Sequence, residues 1–111
     1  MDITPIGFDK WSLINKWRSK FNLSMSQFIN LLESYRRVME YHNGNVDQKL
    51  LLLNYPSKVK TSKIYLHEVY TEQKRCLCWY SLTEAGKQAV RELINIIEFD
   101  EKLNLFIYKL E

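Results

Sequence analysis

Two cysteines and one histidine form the residue set in this chain that most resembles a metal site. His67, Cys76 and Cys78 fall in a stretch rich in β-branched, aromatic and cysteine residues, which is typical of β-strands. If the strands close symmetrically about Glu72-Gln73, His67 lies opposite Cys78, and Cys76 points to the same face. A zinc or copper site usually needs a fourth ligand, which the sequence does not supply. We therefore expect ordinary buried cysteines, no metal site and no cofactor.

No residue pattern in the chain is typical of an enzyme. No nucleophile with a neighbouring base, no glycine-rich phosphate loop and no pair of carboxylates stands at a diagnostic spacing. Acidic residues such as Glu33, Glu40, Glu92 and Glu98 fall on predicted helices beside basic residues, as expected of a solvated helix surface. We therefore predict a protein without enzymatic activity.

Positive charge is concentrated between residues 58 and 75. The whole chain carries a formal net charge of +3, which permits nucleic-acid binding without requiring it. Within these positions the only acids are Glu68 and Glu72, whereas the cations are Lys58, Lys60, Lys63, Lys74 and Arg75. Two interpretations stay open. The cations contact phosphates, or they form a solvated surface whose lysines protect an exposed strand edge.

The composition indicates one folded domain that spans residues 1–111. Apolar residues make up 46% of the chain and aromatic residues 14%, so burial can offset the entropy lost on folding. The longest aliphatic run, Leu50 to Leu53, is far shorter than the roughly 20 residues that cross a bilayer, and residues 1–11 do not resemble a secretory signal. Cys76 and Cys78 are too close along one strand for an unstrained disulfide. We therefore expect reduced thiols and a cytoplasmic protein without a membrane segment.

The elements that must hold these residues follow from hydrophobic spacing and capping signals. Apolar positions predict a helix over about 10–20 and another over about 25–42, the second starting at a capping box formed by Ser24 and Gln27. Residues 46–55 stay ambiguous, because this segment can be a short buried helix or a buried strand. The predicted core comprises Trp11, Ile14, Trp17, Phe28, Leu31, Leu32, Tyr35, Leu82, Val90 and Ile94.

An antiparallel hairpin and a further helix are expected after the ambiguous segment. The strands are KIYLHEVY and RCLCWYSL, separated by the polar residues 71–74. Thr83 then caps a helix, and apolar residues recur as far as Leu110 in two stripes that are out of phase. Either the helix breaks near Asp100 or the tail winds a second apolar face. Because two stripes exceed what one small core needs, we expect residues 84–111 to mediate homodimerisation.

The passage from the second hairpin strand into the following helix resembles a known junction. Residues 80–86 read YSLTEAG, in which Tyr80 and Leu82 alternate with Ser81, Thr83 caps the helix, and Gly86 allows close backbone packing. This string is similar to the Y-x-L-T-x-x-G junction at the end of the wing in MarR-like and PadR-like winged-helix proteins. The resemblance implies an α+β, mainly helical winged-helix-like domain with an antiparallel β-hairpin wing and a C-terminal helix.

The same resemblance implies a small dimeric transcription regulator that binds double-stranded DNA. The segment from Asp47 to Tyr55 stands where such proteins have the recognition helix, although Leu50 to Leu53 within it belong in a core. The implied base contacts are Gln48, Lys49, Asn54 and Tyr55, and the implied phosphate contacts are Lys58, Lys60, Lys63, Lys74 and Arg75. The alternative is a non-enzymatic adaptor that binds a partner protein through a winged-helix fold.

Overall fold

Two helices at the start of the chain follow the capping signals. In the computed structural model, which describes residues 6–53, 63–72, 74–75 and 77–110, α1 spans Phe8–Lys20 and α2 spans Met25–Tyr41. The Ser24 hydroxyl accepts a hydrogen bond from the Gln27 N–H (3.2 Å), and the Gln27 side chain accepts one from the Ser24 N–H (3.0 Å). The predicted capping box and both predicted helices are confirmed.

The end of α2 depends on two residues that adopt a left-handed backbone. Asn43 has φ of 51° and Gly44 has φ of 85°, a region that glycine enters without steric cost. The Val38 carbonyl in the last turn accepts hydrogen bonds from both the His42 N–H and the Gly44 N–H, each at 3.1 Å. The chain therefore leaves the helix here and turns toward the sheet.

Three antiparallel strands form the sheet, in the spatial order β1-β3-β2. β1 spans Leu50–Leu53, β2 spans Leu66–Glu72 and β3 spans Leu77–Leu82. The ambiguous segment 46–55 thus contains a strand, and the helical alternative is wrong for 50–53. Leucine favours a helix locally, but pairing with β3 satisfies the backbone groups of this apolar stretch while Leu50 is fully buried.

The C-terminal region consists of two helices and not one. α3 spans Glu84–Ile96 and α4 spans Glu101–Leu110. Ile97 has an extended backbone that ends α3, and the Asp100 carboxylate accepts a hydrogen bond from the Leu103 N–H at 2.8 Å, which caps α4. Of the two alternatives left open by the sequence, the break near Asp100 is the one observed.

The second apolar stripe of this region is used within the chain. α4 packs against α2. Its Leu103, Phe106 and Ile107 are buried, and the Phe106 ring contacts Trp11 of α1 edge-to-face. Leu105 and Tyr108 remain exposed on the opposite side of α4. Much of the apolar surface that motivated homodimerisation is therefore covered within the chain, and homodimerisation stays a prediction.

α2 lies at the centre of the core and contacts β1, α3 and α4. All predicted core residues are buried except Trp11 and Ile94, which are partly buried and pack against the core. The Trp17 indole N–H donates to the Ala89 carbonyl at 2.9 Å, which ties α1 to α3. The predicted α+β, mainly helical fold class is confirmed.

Candidate nucleic-acid interface

The base of the β2–β3 hairpin is joined to α3 by hydrogen bonds of Thr83. Its hydroxyl accepts from the Gly86 N–H at 3.1 Å and donates to the Ile64 carbonyl at 2.6 Å. The Thr83 N–H donates to the Tyr65 carbonyl at 3.0 Å. One residue therefore caps α3 and also holds the segment that leads into β2, which confirms the predicted cap.

Gly86 lets the backbone of this segment approach α3 closely. A Cβ built at Gly86 would lie 2.2 Å from the Tyr65 carbonyl oxygen and 3.1 Å from Cδ2 of Leu82. No side chain fits at the first of these distances, so the contact needs glycine. The close backbone packing expected from the YSLTEAG string is confirmed.

β3 is attached to α2 through its inward-facing residues. Tyr80 is fully buried, and its hydroxyl shares a 2.9 Å hydrogen bond with Ser34 Oγ. Burial raises the pKa of Tyr80 above its ordinary value, so the phenol stays neutral. Leu82 is buried on the same side of the strand. These contacts and the Thr83 hydrogen bonds hold the hairpin at its base, from which the turn projects.

The turn of the hairpin carries the predicted tip cations. Lys74 and Arg75 are both exposed. The Arg75 Nε lies 3.1 Å from a carboxylate oxygen of Glu72. Because the Arg75 side chain is 73% exposed, this pair contributes at most about 1 kcal/mol. An incoming phosphate can compete with Glu72 for the guanidinium at small cost.

The other predicted contact residues that the structure describes lie at the opposite end of the sheet. Gln48 and Lys49 are exposed just before β1, whose first residue, Leu50, pairs with Tyr80 near the base of β3. Lys63 is exposed in the turn before β2, at the same end. The rise of a strand puts about 20 Å between this end and the tip. The predicted contacts therefore flank the sheet and do not form one cluster.

The remaining predicted contacts and the proposed recognition helix have different outcomes. Asn54, Tyr55, Lys58 and Lys60 lie outside the described residues. A recognition helix over Asp47 to Tyr55 is wrong, since 50–53 is the strand β1. Pairing with β3 extends this segment, and Leu50 is buried against the core.

An ion pair on the base side links the segment before β1 to α3. Lys87 Nζ lies 2.9 Å from a carboxylate oxygen of Asp47. The Lys87 hydrogen bond and charge hold the pKa of Asp47 below its ordinary value, and Asp47 in turn raises the pKa of Lys87. Asp47 is therefore an anion paired with Lys87 of α3. Lys49, two residues further along the chain, is exposed.

The symmetry assumed for the hairpin is wrong, and so is the arrangement of its possible metal ligands. Thr71 pairs with Cys78, and His67 pairs with Ser81, so His67 does not lie opposite Cys78. The physical reason is that the turn lies between Glu72 and Leu77, and that the bulge between Glu68 and Tyr70 puts His67 on the face opposite the buried Cys78. Cys78 is a free thiol whose pKa is raised by burial. Cys76 lies outside the described residues, and within the described part no three His, Cys, Asp or Glu side chains are grouped to hold a metal ion.

Sequence reasoning missed an aromatic pair on the solvent side of the sheet. Tyr70 and Trp79 pair across β2 and β3, and Leu51 pairs with Trp79 from the other side. Paired residues of antiparallel strands project to the same face. We define the outer face as Leu51, His67, Tyr70, Glu72, Leu77, Trp79 and Ser81. The alternation of LCWYSL, in which the inward positions are Cys78, Tyr80 and Leu82, was the signal that could have identified it.

No helix in the described ranges has both the length and the hydropathy to cross a membrane.

Comparison with known proteins adds no relative. No protein-family model, curated protein or solved structure matches this chain.

Proposed function

We propose that this chain is a non-enzymatic protein that binds double-stranded DNA through the β2–β3 hairpin, as a small dimeric transcription regulator of winged-helix type. The observation that carries the proposal is a hairpin with exposed Lys74 and Arg75 at its turn and a base attached to α3 by Thr83 and Gly86. Cations on a fixed support lose little conformational entropy when they bind phosphate. The free thiol of Cys78 fits a reducing compartment such as the cytoplasm.

Phosphate contacts supply most of the affinity in this proposal. Lys74 and Arg75 contact the backbone at the tip, and Lys63 contacts it at the base. Lys58 and Lys60 stay proposed phosphate contacts. Such contacts need no recognition helix, and a two-stranded ribbon is narrow enough to enter the major groove. Gln48 and Lys49, with Asn54 and Tyr55, stay the proposed base contacts.

Homodimerisation through residues 84–111 belongs to the same proposal. Leu105 and Tyr108 are the exposed apolar side chains of α4, and a second copy would cover them. Sedimentation of the parent beside the double variant Leu105→Ser/Tyr108→Ser tests this. We expect a dimer that the double variant weakens, and a parent that is monomeric at all concentrations would contradict the dimer.

A salt titration of duplex binding tests the proposal directly. The parent and the double variant Lys74→Glu/Arg75→Glu are titrated with a random-sequence duplex at several salt concentrations. Losing two phosphate contacts should weaken binding to every sequence alike. The negative slope of log K against log salt should become less steep by about 2.

The control has the same change in net charge at a distant place. Lys102→Glu/Lys109→Glu reverses two exposed lysines on α4, so it should keep most of the parent's affinity. Equal losses in both double variants would indicate attraction to the overall charge and not a hairpin site. Absence of duplex binding by the parent at low salt would refute the proposal.

A protein-binding adaptor is the second candidate, and the surface of α4 favours it. Leu105 and Tyr108 border a shallow cleft that Arg36, Glu101 and Asn104 also line. Apolar side chains next to charged ones are typical of a protein interface. Affinity capture with the parent and with Leu105→Ser/Tyr108→Ser tests the adaptor function. We expect a partner protein that the parent retains and the double variant does not.

A further inference from the structure

The outer face of the sheet exposes two aromatic rings that the core does not use. Tyr70 is 58% exposed and Trp79 is 39% exposed, although most large apolar side chains of the fold are buried. Among the described residues, neither ring takes part in an aromatic contact. Their cross-strand pairing places both on one surface. Two adjacent rings are therefore available to a ligand.

Cations flank this aromatic pair at both ends of the sheet. Lys49 and Lys63 lie at the base end, and Lys74 and Arg75 lie at the tip. Glu72 lies on the same face and pairs with Arg75, so a phosphate at the tip displaces this weakly held carboxylate from the guanidinium. The two ends are about 20 Å apart, a length that spans about six stacked nucleotides at 3.4 Å each.

We infer that the outer face binds single-stranded DNA, with bases stacked on Tyr70 and Trp79 and phosphates at the cations of both ends. The inference rests on the proposed DNA-binding function and extends it to a strand whose bases are unpaired. Aromatic rings between cations are the arrangement by which proteins bind single strands without sequence preference. A duplex keeps its bases stacked inside, so it cannot use these rings.

Charge complementarity favours this occupant over an apolar protein segment. The described cations at the two ends suit a polyanion, and a protein segment would bury Lys74 or Lys49 without supplying a partner for it. His67 and Ser81 on the same face add polar groups that can bond to bases or phosphates. The face therefore combines the two chemistries of a nucleotide, ring stacking and phosphate binding.

Fluorescence anisotropy with a labelled twelve-nucleotide oligothymidine tests the inference on the full chain. Replacing Tyr70 or Trp79 with Leu should weaken binding about tenfold for each ring, which is about 1.4 kcal/mol. Binding to duplex DNA should stay within about twofold of the parent in both variants. Phe8→Leu is the matched control, because Phe8 is a highly exposed ring on α1, and it should leave both affinities unchanged.

A conservative variant separates stacking from folding. Trp79→Phe keeps a ring and should retain most of the affinity for the single strand, whereas Trp79→Leu should lose it with an unchanged circular dichroism spectrum. Equal losses of oligothymidine binding in Trp79→Phe and Trp79→Leu would overturn the stacking contact. Preferential binding of the same sequence as RNA would overturn the assignment to DNA.

The duplex arm distinguishes failure of this inference from failure of the proposed function. A parent that binds duplex DNA but not oligothymidine overturns the inference and leaves the proposed function standing. A parent that binds oligothymidine with the expected loss in Tyr70→Leu, but no duplex, supports the outer face and refutes duplex binding. Binding to neither overturns both.

Discussion

Gly86→Ala is the substitution that most directly tests how the hairpin is attached to α3. The added Cβ would lie 2.2 Å from the Tyr65 carbonyl oxygen and 3.1 Å from the Tyr65 carbonyl carbon. Both atoms belong to the backbone, so the clash cannot be relieved by rotating a side chain. The segment before β2 must move away from α3, or the first turn of α3 must deform.

The cost can be worked out from three contributions. Overpacking of this kind costs about 1–3 kcal/mol. Displacing the Tyr65 carbonyl also weakens its 3.0 Å hydrogen bond from the Thr83 N–H, which costs about 1 kcal/mol. Alanine recovers at most about 1 kcal/mol, because it is the better helix residue. We therefore expect a net destabilisation of about 2 kcal/mol, which lowers the Tm by about 9 °C in a domain of this size.

Urea denaturation followed by circular dichroism measures this change, and Gly7→Ala is the control. Gly7 has a negative φ and no atom within 4 Å of a built Cβ, so alanine there should change the free energy of unfolding by less than about 0.5 kcal/mol. If Gly86→Ala were as stable as the parent, the close approach of the Tyr65 carbonyl to α3 would be refuted. Duplex binding by a folded Gly86→Ala variant should also weaken, since the hairpin is then less firmly held.

Two further predictions concern a buried charge and an exposed one. Glu33 is buried and accepts hydrogen bonds from Arg36 at 2.9 Å and from Arg37 at 2.7 Å. Glu33→Gln should therefore lower the free energy of unfolding, measured by urea denaturation, by about 3 kcal/mol. A decrease of less than about 1 kcal/mol would contradict this. The Lys10 hydrogen bond holds the pKa of Asp100 below its ordinary value. The native state then binds fewer protons than the unfolded state, so stability from this group is complete above about pH 4 and is lost as the pH falls through the lower native pKa. Asp100→Asn should be less stable than the parent at pH 7. Its urea midpoint should also fall less than the parent's midpoint as the pH is lowered. Identical dependence of the midpoint on pH in the two proteins would count against the Lys10–Asp100 hydrogen bond.

Capping signals could be recognised from the sequence because each involves residues only a few positions apart. Ser24 and Gln27 form their capping box inside one turn of α2. Thr83 caps α3 through the Gly86 N–H in the same way. The geometry of one helical turn decides these contacts, whatever the rest of the chain does. Both were therefore predicted correctly.

Segment 46–55 shows where local information ends. Its leucines suit either a helix or a buried strand, and periodicity does not separate the two over so short a run. The edge of β3 decided the outcome, because Leu50 pairs with Tyr80 and is buried in the core. That edge is formed by residues some thirty positions later, outside any local window.

The candidate site was predicted only in its parts. Lys74 and Arg75 were identified from charge and from the hairpin turn, but their distance from Lys49 depends on the pairing of β1 with β3. Tyr70 and Trp79 were not recognised as a pair, since the turn lies between Glu72 and Leu77 and not at Glu72-Gln73, and this turn sets the register that pairs them.

By itself, the sequence determined α1, α2, α3, the caps at Ser24 and Thr83, and the glycine at the hairpin junction, because these depend on backbone preferences and contacts within a few residues. The tertiary structure alone decided the hairpin register, which places His67 opposite Ser81, and the packing of α4 against α2. The physical reason is that a strand shifted by one residue exchanges its buried and exposed faces. Burial against the whole core selects one register, and no short stretch of sequence contains that core.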